Sequence, residues 1–113
     1  MKLKANLHFH TSDDPRDKVP YSIEEGIVEA ARLGFQVLAI ILHEKVYDVS
    51  KKQGIAKKHG IILIPGIEIS VNGKHVVIIN AHKDAENVRS FSSLSAYRNS
   101  HPESFGLASH PYY

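Results

Sequence analysis

Apolar and polar residues alternate from the start of the chain, with Leu3, Ala5, Leu7 and Phe9 interleaved with Lys4, Asn6, His8 and His10. A period of two is that of a strand with one buried face, so this segment reads as a first strand whose two histidines point the same way. After a polar, proline-containing loop through Pro20, Ser22 and Glu25 form a capping box ahead of Ile23, Ile27, Val28 and Ala31, and Gly34 supplies a stop. This predicts a helix over residues 22–33. Residues 35–42 form a continuous apolar run rich in β-branched side chains, which reads as a strand buried on both faces and ending at His43-Glu44.

The polar segment 49–58 predicts a second helix closed by His59-Gly60, and 61–64 a third buried strand that stops at Pro65-Gly66. Ile67-Glu68-Ile69 follows at once. Asn72-Gly73 is a strong turn signal before a fourth strand over 75–80, with His82 just beyond its end. Val88, Phe91, Leu94 and Tyr97 at helical spacing predict a helix over 87–98, and 105–109 reads as a short fifth strand leading into His110-Pro111. Strands alternating with helices imply parallel strands joined by right-handed crossovers, as in an α/β barrel or a doubly wound sheet. Between the third and fourth strands a turn replaces the helix.

At 113 residues and 42% hydrophobic content the chain reads as one globular domain, 1–113, without linkers or repeats. The formal charge of +2 arises from interleaved acids and bases, so nucleic acid and membrane surfaces are not indicated as partners. Lys2 and Lys4 lie inside the alternating strand rather than ahead of a signal-peptide apolar region, and a cytoplasmic location is expected. With no cysteine, disulfides and thiolate metal sites are excluded, and any transition metal must be held by imidazole and carboxylate. Eight histidines in so short a chain then demand an explanation.

Six side chains, His8, His10, His43, Glu68, His82 and His110, fall at or just beyond the C-terminal ends of predicted strands. In a parallel α/β barrel those ends share one face, where such enzymes place their sites. A lone histidine on a strand is more often a core residue bonded to backbone than a ligand. The His-x-His pair and the recurrence of an ionisable group on one rim favour a metal cluster instead. His59, at a helix end, and His101, ahead of Pro102, lack this placement and read as structural or solvent-exposed. Arg16, Lys18, Tyr112 and Tyr113 are weak candidates for substrate contact, since surface tyrosines and loop cations are common without such a role.

His8-Phe9-His10-Thr11 resembles the first motif of the PHP (polymerase and histidinol phosphatase) family, and the segments ending in His43-Glu44, Pro65-Gly66-Ile67-Glu68 and Ser109-His110-Pro111 resemble later ones. The resemblance implies a distorted, TIM-like β/α barrel of PHP type and metal-dependent hydrolysis of a small phosphorylated substrate. It implies two or three divalent ions (Zn, Mn or Fe) and a metal-activated water in place of a catalytic side chain. His8 and His10 would hold one ion, Glu68 would bridge two, His110 and a strand-four histidine would complete the second, and His43 with a loop-one acid would serve a third. Asp14 is the first choice for that acid, with Asp13 and Asp17 as alternatives. For strand four His82 is preferred over His75, because it sits at the expected C-terminal rim.

Two departures from the family pattern stand out. Ile41-Leu42 occupy positions where relatives carry polar residues that would support His43. Barrels of this family also continue for further strands that supply late ligands, so the expectation is an incomplete barrel of about five strands. Its edge would be covered by the rest of a longer protein or by a homo-oligomer. A non-catalytic metal-binding or assembly module derived from such a barrel is the alternative function. An amidohydrolase, which relies on a mid-barrel lysine and a late aspartate, fits His43 and Glu68 less well.

Overall fold

The computed structural model describes residues 3–16 and 18–109. Five strands form one sheet in chain order: β1 (Ala5–Phe9), β2 (Val37–Ile40), β3 (Ile62–Val71), β4 (Lys74–Ile79) and β5 (Phe105–Ser109). Among the described residues three short helices accompany them, α1 (Ile23–Arg32), α2 (Gln53–Lys58) and α3 (Phe91–Ser100), with 3-10 turns at Val49–Lys52 and Lys83–Asn87. β1, β2 and β3 run parallel, whereas β3 to β4 and β4 to β5 are antiparallel.

This architecture overturns the expected β/α barrel: the fold is dominated by a mixed sheet, and helical crossovers serve only its first two steps. The cause lies at Asn72 and Gly73, whose φ angles of 49° and 80° make the tight turn that reverses the chain into β4. α1 forms as its sequence predicts, with Ser22 and Glu25 making both bonds of the capping box. The segment 49–58 is split into a 3-10 turn and α2, and α3 begins later than its apolar spacing suggested, because Ser90 and Ser93 cap it.

β3 does not stop at Pro65-Gly66. Residues up to Pro65 pair with β2, and from Gly66 onward the same strand pairs with β4, so the proline sits where the strand changes partner. A Cβ at Gly66 would lie 2.3 Å from Ile41 Cδ1 and 2.9 Å from the Ile78 carbonyl oxygen. Gly66→Ala is expected to destabilise the fold by about 1–3 kcal/mol through overpacking. A denaturant midpoint equal to that of the unaltered chain would refute that close fit.

The sheet has two unlike faces. On one, α1 and α2 cover Leu38, Ile40, Leu42 and Leu63, and α3 with the turn before it covers Ile67, Ile69, Val71, Val76 and Ile78. The other face is a smaller apolar cluster of Ala39, Ile41, Val77 and Ile79, joined by Leu7 and Ile64. Leu7, Val77 and Leu107 line one cavity of about 380 Å³, although they come from β1, β4 and β5. The sheet therefore curls so that its two edges approach.

β1 also departs from strict alternation. Asn6 pairs with Leu38 and Phe9 with Ile40, three residues against two, so one residue of β1 is extra. The irregularity lets Leu7 join the inner cluster while Phe9 packs on the helix side. The expectation that both share a face is thus corrected. Among the described residues no helix is long and apolar enough to cross a membrane.

Candidate metal centre

β2 ends in a turn in which Leu42 bridges to Lys45 and Glu44 takes a φ of 60°. The parallel ladder nevertheless continues one step, with His43 opposite Glu68, the Glu68 N–H donating to the Leu42 carbonyl and the Glu44 N–H to the Glu68 carbonyl, both at 2.9 Å. The inner face at the ends of β1 and β2 thereby meets the middle of β3. Across the hairpin, Ser70 pairs with His75 and Glu68 with Val77, which makes His75 the diagonal neighbour of Glu68 on that face.

The side chains converge on the Glu68 carboxylate. Its Oε1 lies 3.0 Å from His8 Nε2, 3.2 Å from His10 Nε2 and 3.4 Å from His43 Nε2, while Oε2 lies 3.0 Å from His75 Nδ1. Behind the rings stands Asp14, whose Oδ2 is 2.8 Å from His10 Nδ1 and 3.0 Å from His43 Nδ1. Asp14 is itself fixed by N–H donors from Arg16 at 2.8 Å and His43 at 3.1 Å. The His10 and His43 rings stack with centroids 4.9 Å apart. The Glu68 side chain is only 4% exposed, whereas that of His8 is 38% exposed, so the cluster is deep on one side and open on the other.

Burial is the largest single influence on the Glu68 carboxyl and would raise its pKa. Hydrogen bonds from His8 and His75 and the charges of His43 and His8 together outweigh it, and the carboxyl is held below its ordinary value of 4.5. Among the described residues no buried polar side-chain atom lacks a hydrogen-bond partner, yet the nitrogens around this carboxylate are crowded. His8 Nε2 and His10 Nε2 lie 3.1 Å apart, and the same carboxylate oxygen stands 3.0 Å from the one and 3.2 Å from the other. Protons on both nitrogens collide, and a bare nitrogen turns its lone pair toward the carboxylate. A divalent cation removes that conflict, since imidazole and carboxylate lone pairs then face one positive charge. The spacing also suits it, as donors about 2.0–2.1 Å from a tetrahedral ion lie roughly 3.3 Å from each other.

Of the residues the sequence singles out, His8, His10, Asp14, His43 and Glu68 come together. His75 joins them and the preferred His82 does not, because an antiparallel β4 brings its N-terminal end to this rim. Asp13 is exposed and outside the cluster, and Asp17 and His110 lie outside the described residues. Ser109, the residue before His110, pairs with His75. His82 instead meets Glu103 and His101, an arrangement that the sequence reading missed and that depends on the loop between α3 and β5 folding back on the end of β4.

No family model matches the chain. It is similar to PolC-type DNA polymerase III from several bacteria. The protein from Staphylococcus epidermidis is 35% identical over 65 residues, 58% of this chain and 4% of the polymerase. That from Streptococcus sanguinis is 32% identical over 83 residues, 74% of this chain and 6% of the polymerase. That from Streptococcus pneumoniae is 34% identical over 76 residues, 67% and 5% respectively. The alignments thus span only 4–6% of the length of these curated relatives. PolC-type polymerases contain a PHP domain, and the likeness supports a PHP-related region in this chain.

Proposed function

We propose that this chain carries a metal-dependent phosphoesterase centre that hydrolyses a small phosphate ester. The observation that carries the reading is the convergence of His8, His10, His43 and His75 on the two oxygens of Glu68. His8, His10, His43, His75 and Glu68 would hold divalent ions of the zinc, manganese or iron class, and Asp14 would orient His10 and His43 through their Nδ1 atoms. Such ions, when bound, polarise phosphoryl oxygens and make water acidic enough to attack near neutral pH. The chain's own residues supply placement: Glu68 gathers the imidazoles, Asp14 fixes two of the rings, and the exposed side at His8 admits the substrate. No side-chain nucleophile is required.

The test is phosphate release from a panel of monoesters by metal-free protein supplied with Mn²⁺ or Zn²⁺. Turnover is expected only with metal, and His8→Ala and His75→Ala are each expected to lower it at least about 10- to 100-fold. Full activity in both variants would rule the centre out. The likeness to a small part of a polymerase favours a second reading, a metal-binding module without turnover. Metal bound at Glu68 together with no phosphate release from any ester would establish that one.

A further inference from the structure

At the opposite end of β4 from His75, a second group of donor atoms comes together outside the centre described above. His82 follows the end of β4, His101 caps the C-terminus of α3, and Glu103 lies in the loop that leads to β5. Their donor atoms lie within 4.8 Å of one another. The His82 and His101 rings stack with centroids 4.0 Å apart and planes 18° from parallel. Glu103 Oε1 contacts His82 Nε2 and stands 3.7 Å from His101 Nδ1. One carboxylate oxygen therefore sits between two imidazole nitrogens from separate elements.

The surroundings hold this group in place. The far nitrogen of His101, Nε2, is 2.8 Å from Asp84 Oδ2, which fixes the ring and leaves Nδ1 toward Glu103. A carboxylate on the outer nitrogen of an imidazole is the arrangement that orients metal-ligating histidines and raises their basicity. Below it, the Tyr97 hydroxyl accepts from the His82 N–H at 2.9 Å and meets the buried Ser104 hydroxyl at 3.0 Å, and Ser104 donates to the Asn80 carbonyl. The other two candidate ligands are tied to the same residues, His101 by its N–H to the Tyr97 carbonyl and by its carbonyl accepting from the Ser104 N–H, and Glu103 by its carbonyl accepting from the Asn80 side-chain amide. Two imidazoles and a carboxylate, with no thiolate, suit a borderline divalent ion such as zinc.

We propose that His82, His101 and Glu103 form a second divalent-cation site of zinc type, with Asp84 orienting His101. It clamps the end of β4 to the loop between α3 and β5 and is independent of the Glu68 centre. About four residues of β4, roughly 13 Å of strand, separate His75 from its last residue, so the two sets cannot share an ion.

The test is titration of the metal-free chain with Zn²⁺ against a chromophoric chelator. His82→Ala/Glu103→Ala is expected to bind one zinc fewer than the unaltered chain, and His8→Ala/Glu68→Ala is expected to keep one that disappears when the two pairs are combined. Both residues of the first pair are half exposed, so that variant tests ligation rather than folding. On the unaltered chain, ring ¹⁵N shifts are expected to move at His82 Nε2 and His101 Nδ1 as zinc is added. An unchanged zinc count in His82→Ala/Glu103→Ala, or ring shifts that stay put at saturation, would overturn the proposal.

Discussion

Glu68→Gln is expected to lower divalent-metal affinity at the inner cluster by more than about 100-fold, a larger loss than removal of a partner that only orients a ligand. Among the described residues Glu68 alone contacts His8, His10, His43 and His75. Glutamine keeps its length and removes the charge, and it places an amide N–H₂ where the imidazoles need an acceptor. Calorimetric titration with Mn²⁺ or Zn²⁺ measures the loss, and an affinity within a few-fold of the unaltered chain would exclude Glu68 from the ligand set. The metal-free protein offers a second measurement. Because the folded-state pKa of Glu68 lies below 4.5, its charged form contributes stability that is present above that value and lost as pH falls through the folded one. The denaturation midpoint of Glu68→Gln should therefore fall less steeply with acid than that of the unaltered chain.

Much of this centre is legible in the chain. The His8-x-His10 pair and the apolar run ending at His43 follow from local periodicity, and the capping box marks the start of α1, whereas Glu68, expected just beyond a strand end, lies in the middle of β3. The error over β4 has one physical root. A rule for parallel barrels places functional groups at C-terminal strand ends, which favours His82. The Asn72-Gly73 turn reverses β4, and in a reversed strand the residue that meets the rim is the first, His75. That signal stands in the sequence, but its consequence appears only when the turn is carried through to strand direction. The extra residue in β1 and the change of partner at Pro65-Gly66 are less accessible, because each depends on which neighbour the strand finds. His101 and Glu103 are less accessible again, since their meeting with His82 is made by the packing of Tyr97 and Ser104 beneath them.

Asp14→Ala is expected to weaken metal binding about 10- to 100-fold and to destabilise the metal-free chain by about 2–3 kcal/mol. The Asp14 side chain is fully buried and accepts from two backbone N–H groups while holding the outer nitrogens of two rings. Truncation leaves those donors unpaired and frees His10 and His43 to rotate away from Glu68. Asp14→Asn should fall between the two, since its one oxygen can serve the loop or a ring but not both. The division of the effect separates the roles open to this residue. An orienting carboxylate predicts that Co²⁺ still binds to Asp14→Asn with the coordination spectrum of the unaltered chain, only more weakly. A direct ligand predicts a changed spectrum at saturation. Loss of stability with metal affinity untouched would reduce Asp14 to a brace for the first loop. That outcome would leave the stacking of His10 on His43 as what aims the two rings at Glu68.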